Sequence, residues 1–389
     1  MKDLELIEAG DIKWPCIFSD KNNIESQFIE RCTKQYLKAG MKIGLDRNLP
    51  IISKMIGESN YAIWNRGPSV LQSAWNTEQT IKGAGFVSPY EIEDIERKNF
   101  IGGGSDMHWE RYKLSNNKSH PTKITSVNGK FIGFHTWFPN NYGHILHDNL
   151  PYLAWLISNF DEEYKIILLK GNVKQEIIKE ISMELYNRIL WVDMGEIVKI
   201  NGELVVSIPD VFPTIMGKNF MPYFKDLIGS ASEKSNKQND VIFYTRNGTT
   251  SRRVLNLDNE NQVINLIKQK MKEHNINGEL KIFSGMDKDK KILPIRTQIE
   301  IFKDAHTVIG PHGSGLVNFV WSDLDKVKIL EFVPSIECGS VQRPFNGYHN
   351  VFHGLDLDYN HILYTDDSTK HETKINLNDL NNALSTMWK

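Results

Sequence analysis

The second half of the chain alternates short apolar runs with helical patterns, and this alternation limits the folds that it can adopt. The runs are rich in β-branched residues and have the length of buried strands, whereas the segments between them place apolar residues three and four positions apart. Predicted strands cover residues 241–245, 280–283, 307–309 and 327–332, and predicted helices cover residues 260–274, 298–305 and a short segment from Gly315. This order is typical of a parallel, doubly wound sheet, so the predicted fold class is α/β.

The same alternation begins near residue 130 in the first half of the chain. Predicted strands cover residues 131–135, 165–169 and 189–192, and predicted helices cover residues 142–160 and 174–188. We therefore expect two Rossmann-like domains that face each other across a cleft. The pattern of residues 1–100 favours no particular element. The glycine-rich segment 101–105 is predicted to be a flexible loop, because no helical pattern follows it.

The polar run at residues 230–240 is the clearest change in composition along the chain. It contains no apolar pattern and is predicted to be an interdomain linker or an exposed loop. The expected organisation is an N-terminal domain at residues 1–230, a C-terminal domain at residues 231–375 and a final amphipathic helix at residues 376–389.

Composition and charge exclude several classes of protein. A chain of 389 residues predicts about two domains, and its 40% hydrophobic share excludes a disordered chain. The 46 basic and 48 acidic residues give a net charge of -2, so no strong field favours nucleic acid as a partner. The 3 cysteines are too few and too widely spaced for a disulfide framework. Because neither a signal peptide nor a transmembrane segment is recognisable, a cytoplasmic location is expected.

A glycine-rich turn follows the predicted strand at residues 307–309. The small residues Gly313, Ser314 and Gly315 let backbone N–H groups approach a ligand closely, and a helix start directly after them favours an anion such as phosphate. His312 lies beside these residues and could donate to a phosphate oxygen. A tight turn between a strand and a helix is the alternative interpretation of the same residues.

Three arginines, Arg246, Arg252 and Arg253, follow the strand at residues 241–245. Guanidinium groups bind phosphate oxygens in pairs, and the carboxyl ends of parallel strands line the ligand crevice of an open α/β sheet. A solvated basic turn is the alternative. Glu331 interrupts the apolar strand at residues 327–332 and could accept two ribose hydroxyls, although a strand residue that faces the surface fits the spacing equally well.

A histidine and a carboxylate are four residues apart at the start of the predicted helix 142–160. This spacing places His144 and Asp148 on one helical face, with His147 one position away. Either group could take a proton, or the carboxylate could orient the imidazole, which is an arrangement suited to general-base catalysis. A surface pair at a helix start is the alternative.

Together these segments resemble glycosyltransferase family 61, which includes plant xylan xylosyl- and arabinosyltransferases and animal N-acetylglucosaminyltransferases. The resemblance covers roughly residues 130–360. The N-x-x-H-x-x-x-D-x-L-P segment matches Asn141, His144, Asp148, Leu150 and Pro151, and the G-x-H-G-x-G-L-x-N segment matches Gly310, His312, Gly313, Gly315, Leu316 and Asn318. The E-x-x-P segment matches Glu331 and Pro334. The arginine segment departs from the family pattern, because five residues separate Arg253 from Asn259 and Glu260.

The resemblance implies a GT-B fold in which the C-terminal domain binds a nucleotide sugar and the N-terminal domain faces the acceptor. It also implies an inverting transfer from a nucleoside diphosphate sugar, with uridine diphosphate as the expected nucleotide, to a glycan hydroxyl. The residues that match the glycine-rich segment, Leu316 and Asn318 included, belong to the implied donor site together with the three arginines and Glu331.

The chemistry of such a transfer needs a base for the acceptor hydroxyl and positive charge for the departing diphosphate. Asp148 or His144 would supply the base, and the arginines, His312 and the backbone amides at residues 313–315 would supply the charge. No metal cofactor is then expected. Three Asp-x-Asp pairs are interpreted as turn residues rather than metal ligands, namely Asp287 with Asp289, Asp323 with Asp325, and Asp356 with Asp358.

Two other functions remain open from the sequence. A non-catalytic glycan- or nucleotide-binding protein could have the same fold, and only turnover of a nucleotide sugar separates it from an enzyme. The adjacent His147 and Asp148 would also suit an HD-type metal phosphohydrolase. That class is all-helical, so the alternation of strands and helices argues against it.

Overall fold

The computed structural model describes residues 16–17, 51–64, 67–71, 89–90, 100–102, 123–134, 141–193, 196–208, 213–229, 237–248, 254–334, 355–364 and 373–389. The chain divides into two compact units. The first extends to Phe224, and the second runs from Lys225 to Lys389 and also includes a short strand near the N-terminus. Among the residues in these ranges, no helix is long and apolar enough to cross a membrane.

The first unit is built on an eight-stranded mixed sheet. Its strands are β2 (Ile51–Trp64), β3 (Gly67–Leu71), β4 (Pro89–Tyr90), β5 (Phe100–Gly102), β6 (Ile124–Phe134), β7 (Tyr164–Leu169), β8 (Ile189–Val192) and β9 (Ile197–Ile208). Their order is β4-β5-β3-β2-β9-β6-β7-β8. The strands β6, β7 and β8 are parallel, as the sequence predicts, and β9, which was not predicted, pairs parallel with β6. Strands β2, β3, β4 and β5 extend the sheet by antiparallel pairing.

The segment at residues 101–105 is not entirely a loop. Ile101 pairs with Val70 and Gly102 with Ser69, so both belong to the antiparallel part of the sheet. The loop prediction is wrong for these two residues, because the apolar Phe100 and Ile101 continue directly into the glycines and form a short strand. The rest of that segment lies outside the described residues.

The helices of the first unit are α1 (Tyr142–His144), α2 (Leu150–Asn159), α3 (Asn172–Ile181), α4 (Met183–Arg188) and α5 (Pro213–Gly229), the last of which continues into the second unit. One turn of π-helix, Ile145–Asn149, joins α1 to α2, so the predicted helix 142–160 is interrupted. Its backbone hydrogen bond runs from the Leu150 N–H to the Ile145 carbonyl, five residues back. Pro151 has no N–H to donate, which explains why regular α-helical bonding fails here.

Lys174 lies in the first turn of α3 and is buried, with 1% of its surface exposed. Its Nζ donates to the carbonyl of Leu169 at the end of β7, at 3.1 Å. Burial lowers the pKa of this ammonium from 10.5 to about 7. Because the pKa in the folded protein is below that in the unfolded chain, the unfolded chain binds more protons between pH 7 and 10.5, and stability rises with pH in this window.

We therefore expect the stability of the protein relative to its Lys174→Met variant to depend on pH. Between pH 7 and about pH 9.5, the free energy of unfolding of the parent should rise by roughly 3 kcal/mol relative to the variant, since each pKa unit is worth about 1.4 kcal/mol. Urea unfolding of both proteins at the two pH values measures this difference. A difference that stays constant with pH would show that Lys174 does not titrate with a lowered pKa.

The second unit is built on a six-stranded sheet in which every pair is parallel. Its strands are β1 (Cys16–Ile17), β10 (Asp240–Tyr244), β11 (Leu280–Phe283), β12 (Ala305–Pro311), β13 (Lys328–Pro334) and β14 (Asp358–Tyr364), in the order β1-β14-β13-β12-β10-β11. The helices are α6 (Leu257–Glu273), α7 (Ile295–Phe302) and α8 (Leu377–Met387), with a 3-10 helix at Leu316–Trp321. The predicted α/β alternation of this half is confirmed.

The two ends of the chain contribute to the second unit. The sequence assigned residues 1–230 to the first domain, but Cys16 and Ile17 pair with Asn360 and His361 of β14. At the other end, α8 packs against α6, and Leu380 and Leu384 are fully buried in the core of the unit. Local patterns do not reveal either placement, because both depend on contacts between distant parts of the chain.

Candidate functional site

The centre of the six-stranded sheet is a topological switch point. After β10 the chain crosses to β11 on one side, and it then returns to β12 on the other side of β10. The loops that leave β10 and β12 therefore diverge at the carboxyl ends of these strands, which is where open α/β sheets form the crevice that binds their ligands. Arg246 lies in the first of these loops, and the glycine-rich turn at residues 312–315 lies in the second.

The glycine-rich turn is held by hydrogen bonds within itself and to the 3-10 helix. The Leu316 N–H donates to the Gly313 carbonyl at 2.9 Å. Asn318 donates from Nδ2 to the Gly315 carbonyl at 3.0 Å and accepts the indole N–H of Trp321 at 3.1 Å. Leu316 and Asn318 are fully buried, whereas Ser314 is partly exposed. The structure thus places Leu316 and Asn318 behind the turn, where they support it.

The glycines at and before the turn make room for two side chains at the carboxyl end of β10. A Cβ added to Gly313 would lie 1.7 Å from Nη1 of Arg246, and one added to Gly315 would lie 2.3 Å from the ring of Tyr244. A Cβ added to Gly310 would likewise lie 2.6 Å from the carbonyl oxygen of Tyr244. The sequence suggested that these glycines are small so that a ligand can approach. The structure shows a reason within the protein, the close packing of Tyr244 and Arg246.

Arg246 connects the two loops of the crevice. Its Nη1 donates to the carbonyl of His312 at 3.3 Å and to the hydroxyl of Tyr244 at 3.4 Å. The residue is partly exposed, although Nε of its guanidinium is buried. Arg252 and Arg253 lie outside the described residues.

His312 is in contact with a buried carboxylate. Its Nδ1 lies 2.5 Å from Oε1 of Glu331, whose side chain is 0% exposed, while 14% of the His312 side chain is exposed. The second oxygen of Glu331 accepts the hydroxyl of Tyr359 at 2.6 Å and lies 3.4 Å from Nε2 of His361. Burial alone would raise the pKa of Glu331, but the charge of His312 and hydrogen bonds from His312 and His361 outweigh it and hold that pKa well below its usual range.

This geometry changes the interpretation of Glu331. The sequence suggested direct hydrogen bonds from its carboxylate to ribose, but the carboxylate is enclosed by protein and reaches the crevice through His312. Tyr359 and His361 were not predicted. The sequence feature that could have revealed them is two polar side chains, two residues apart, in the strand β14. One of them, His361, is in register with Glu331 on β13.

A second buried carboxylate lies beneath the loop that carries Arg246. The hydroxyl of Thr245 lies 3.0 and 2.9 Å from the two carboxylate oxygens of Glu260, and it also accepts the Asn247 N–H at 3.0 Å. Despite the longer spacing from Arg253, Glu260 thus supports the loop after β10. Its neighbour Asn259 exchanges two hydrogen bonds with the backbone of Ile375, at 3.1 and 2.7 Å, and connects α6 to the segment before α8.

The helical segment with the predicted base belongs to the first unit. Asn141 caps it by accepting the His144 N–H at 3.3 Å, and the rings of His144 and His147 lie 4.9 Å apart. Both histidines are partly exposed. The backbone of Asp148 lies in the π-helical turn, and its side chain is outside the described residues. Four residues make close to one full turn in an α-helix and in a π-helix, so the backbone positions of His144 and Asp148 lie on the same side of the helix.

Two of the three aspartate pairs lie in turns, whereas Asp358 of the third pair is the first residue of β14, so the turn interpretation is wrong for that residue. Oδ1 of Asp287 accepts the N–H groups of Asp289 and Lys291 at 2.8 and 2.9 Å, and Oδ1 of Asp323 accepts the Asp325 N–H at 3.1 Å. Asp358 accepts the amide of Asn360 at 2.9 Å. Within the described ranges, no group of three or more His, Cys, Asp or Glu side chains is placed to hold a metal ion.

Comparison with known proteins agrees with these motifs. Residues 142–329 match the family model described as Glycosyltransferase 61. The matched segment begins at α1, includes Arg246 and the glycine-rich turn, and ends within β13, two residues before Glu331. A search of curated proteins found no sequence that matches the chain.

Proposed function

Because the chain belongs to glycosyltransferase family 61, we propose that it is an inverting enzyme that transfers a sugar from a nucleoside diphosphate to a glycan hydroxyl. Uridine diphosphate is the proposed nucleotide, and a GT-B arrangement of the two units is the proposed architecture. The observation that supports this proposal most directly is the crevice at the switch point, where Arg246 and His312 converge from two loops.

The proposed donor site uses the charge of these two side chains. As the bond between sugar and diphosphate breaks, negative charge develops on the departing phosphate, and prearranged positive groups and N–H donors lower the energy of that state. Arg246 is held in place through the His312 carbonyl, and His312 through Glu331, so neither group has to be ordered when the donor binds. Arg252 and Arg253 are proposed to add charge at the same site.

The proposed base lies on the segment from α1 to the π-helical turn. An inverting transfer needs one group that removes the proton of the acceptor hydroxyl as it attacks the sugar. His144 and Asp148 are the candidates, because they share a side of the helix and lie within the matched family segment.

A panel of nucleotide sugars tests the proposed function. The protein should hydrolyse or transfer from one donor, and that donor should raise the melting temperature, since a ligand present at about 100 times its dissociation constant stabilises by roughly 2.7 kcal/mol. Arg246→Ala should remove this shift. Lys272→Ala is the matched control, because Lys272 is an exposed cation in the last turn of α6, at the opposite end of the sheet. Binding without turnover of any donor would favour a non-catalytic protein.

We also expect the transfer to be independent of a metal ion. Arg246 and His312 would supply the positive charge that a divalent cation supplies in other enzymes, so EDTA should change the rate by less than about twofold. Rates measured after dialysis against EDTA, with and without added Mn²⁺, test this prediction. An activity that disappears with EDTA and returns with Mn²⁺ would show that a metal ion stabilises the leaving group.

A further inference from the structure

The further inference concerns the charge of His312. Glu331 lies below the crevice with no exposed surface, and His312 lies between this carboxylate and the surface. A carboxylate only accepts hydrogen bonds when it is ionised, so the short contact between Oε1 and Nδ1 requires the proton on Nδ1. Nε2 is then on the side of the ring that faces away from Glu331.

The other contacts of Glu331 favour its ionised form. The Tyr359 hydroxyl donates to Oε2 at 2.6 Å, and His361, which is fully buried, brings Nε2 to 3.4 Å from the same oxygen. Tyr359 is itself buried and packs edge-on against the rings of His361 and Phe319. The carboxylate therefore cannot turn away from His312 without losing the hydrogen bond from the Tyr359 hydroxyl.

A buried carboxylate with an ionisable partner favours the charged form of that partner. Taking a negative charge out of water is costly unless a positive charge lies beside it, and a proton on the His312 ring provides that charge. The positive charge of Arg246 disfavours a charged His312 ring, because its guanidinium lies 3.3 Å from the His312 carbonyl. Glu331 contacts the ring itself at 2.5 Å, so its effect is the larger one.

We propose that Glu331, held by Tyr359 and His361, is a positioning residue that keeps His312 doubly protonated, so that its Nε2–H donates to a phosphate of the nucleoside diphosphate. The phosphate contact rests on the proposed function, whereas the charge of the ring does not. Direct contact of Glu331 with the sugar nucleotide is not part of this role. The consequence is that the protein binds a diphosphate through an imidazolium as well as through arginine.

Histidine NMR of the whole chain tests the charge of the ring. With [13Cε1]-histidine labelling, His312 is assigned through the loss of its signal in His312→Ala. In the parent the His312 ring should remain doubly protonated above pH 7.5. In Glu331→Gln the midpoint of its titration should fall by one pH unit or more. The same midpoint in the parent and in Glu331→Gln would overturn the proposal.

Tyr359→Phe is the matched variant. It alters the same buried network but keeps the carboxylate, so the His312 midpoint should not fall below that of the parent. If Tyr359→Phe lowers the midpoint as much as Glu331→Gln does, the effect comes from disturbed packing and the proposal is wrong. If Glu331→Gln does not fold, the titration of the parent decides, because a His312 midpoint at or below about pH 6.5, the ordinary value for histidine, would overturn the proposal.

Calorimetry with uridine diphosphate separates this inference from the proposed function. In the parent, affinity should fall as pH rises through the His312 midpoint. In Glu331→Gln the fall should occur at lower pH, and affinity at pH 7.5 should decrease by about tenfold. If the NMR midpoint shifts as expected but the parent does not bind the diphosphate, the proposed function fails while the role of Glu331 in the charge of His312 stands.

Discussion

Asp148→Asn and His144→Ala are each expected to lower the turnover number by about 100-fold or more while donor affinity stays nearly unchanged. The loss follows from removing the group that takes the acceptor proton, since general-base catalysis typically contributes factors of this size. Donor affinity should persist because Arg246 and the glycine-rich turn belong to the other compact unit. Steady-state transfer rates and calorimetry with the nucleotide sugar measure the two quantities separately.

His147→Ala is the control for this prediction. Its ring lies 4.9 Å from that of His144, so its removal disturbs the local packing to a similar degree, but it is one position away from the proposed acid–base side. Turnover should stay within about threefold of the parent. An equal loss in the two histidine variants, or a loss of donor affinity alone in Asp148→Asn, would contradict the assignment of the base.

The parallel sheets could largely be predicted because their strands are short, mostly apolar runs that can be recognised within one local segment. The runs at residues 189–192 and 280–283 form β8 and β11 with the predicted bounds. Apart from Lys281, both runs consist of apolar residues, and this signal does not depend on distant partners. The helices were also recognised, but α3 and α4 were joined, because the pattern does not show that Ser182 is extended and caps α4 through its side chain.

The antiparallel part of the first sheet could not be predicted in the same way. Strand β9 continues through Asn201 and Gly202, a pair that by composition favours a turn. In the structure Gly202 has a φ of 146° and is in register with Gly57 and Gly129 on the neighbouring strands. A Cβ on Gly202 would lie 2.2 Å from the Gly129 carbonyl, so the three strands meet where only glycine fits.

The candidate site was only partly visible in the sequence. The motifs indicated which residues matter, but they could not separate residues at the surface of the crevice from those that support it. Asn318 and Glu331 are completely buried, and both use their polar atoms within the protein. Burial of this kind depends on how the ends of β12, β13 and β14 pack together, which no single segment encodes.

Gly313→Val is expected to abolish measurable binding of uridine diphosphate without unfolding the protein. The new side chain would overlap Nη1 of Arg246, which is the far end of a flexible side chain, so Arg246 can move while the backbone stays in place. Affinity should fall by about 100-fold or more, because the guanidinium is displaced and the turn is obstructed. The melting temperature should change by only a few degrees. Gly229→Val, at a glycine with open space around it, is the control for adding a branched side chain.

A double-variant cycle with Arg246→Ala then separates the two explanations for this glycine. If Gly313 serves only to make room for Arg246, adding Gly313→Val to Arg246→Ala should cause no further loss of affinity. If its amide must also approach a phosphate oxygen, the double variant should bind about tenfold or more weakly than Arg246→Ala alone. If uridine diphosphate binds Gly313→Val as well as the parent, the turn is a structural feature of the sheet and the donor site lies elsewhere.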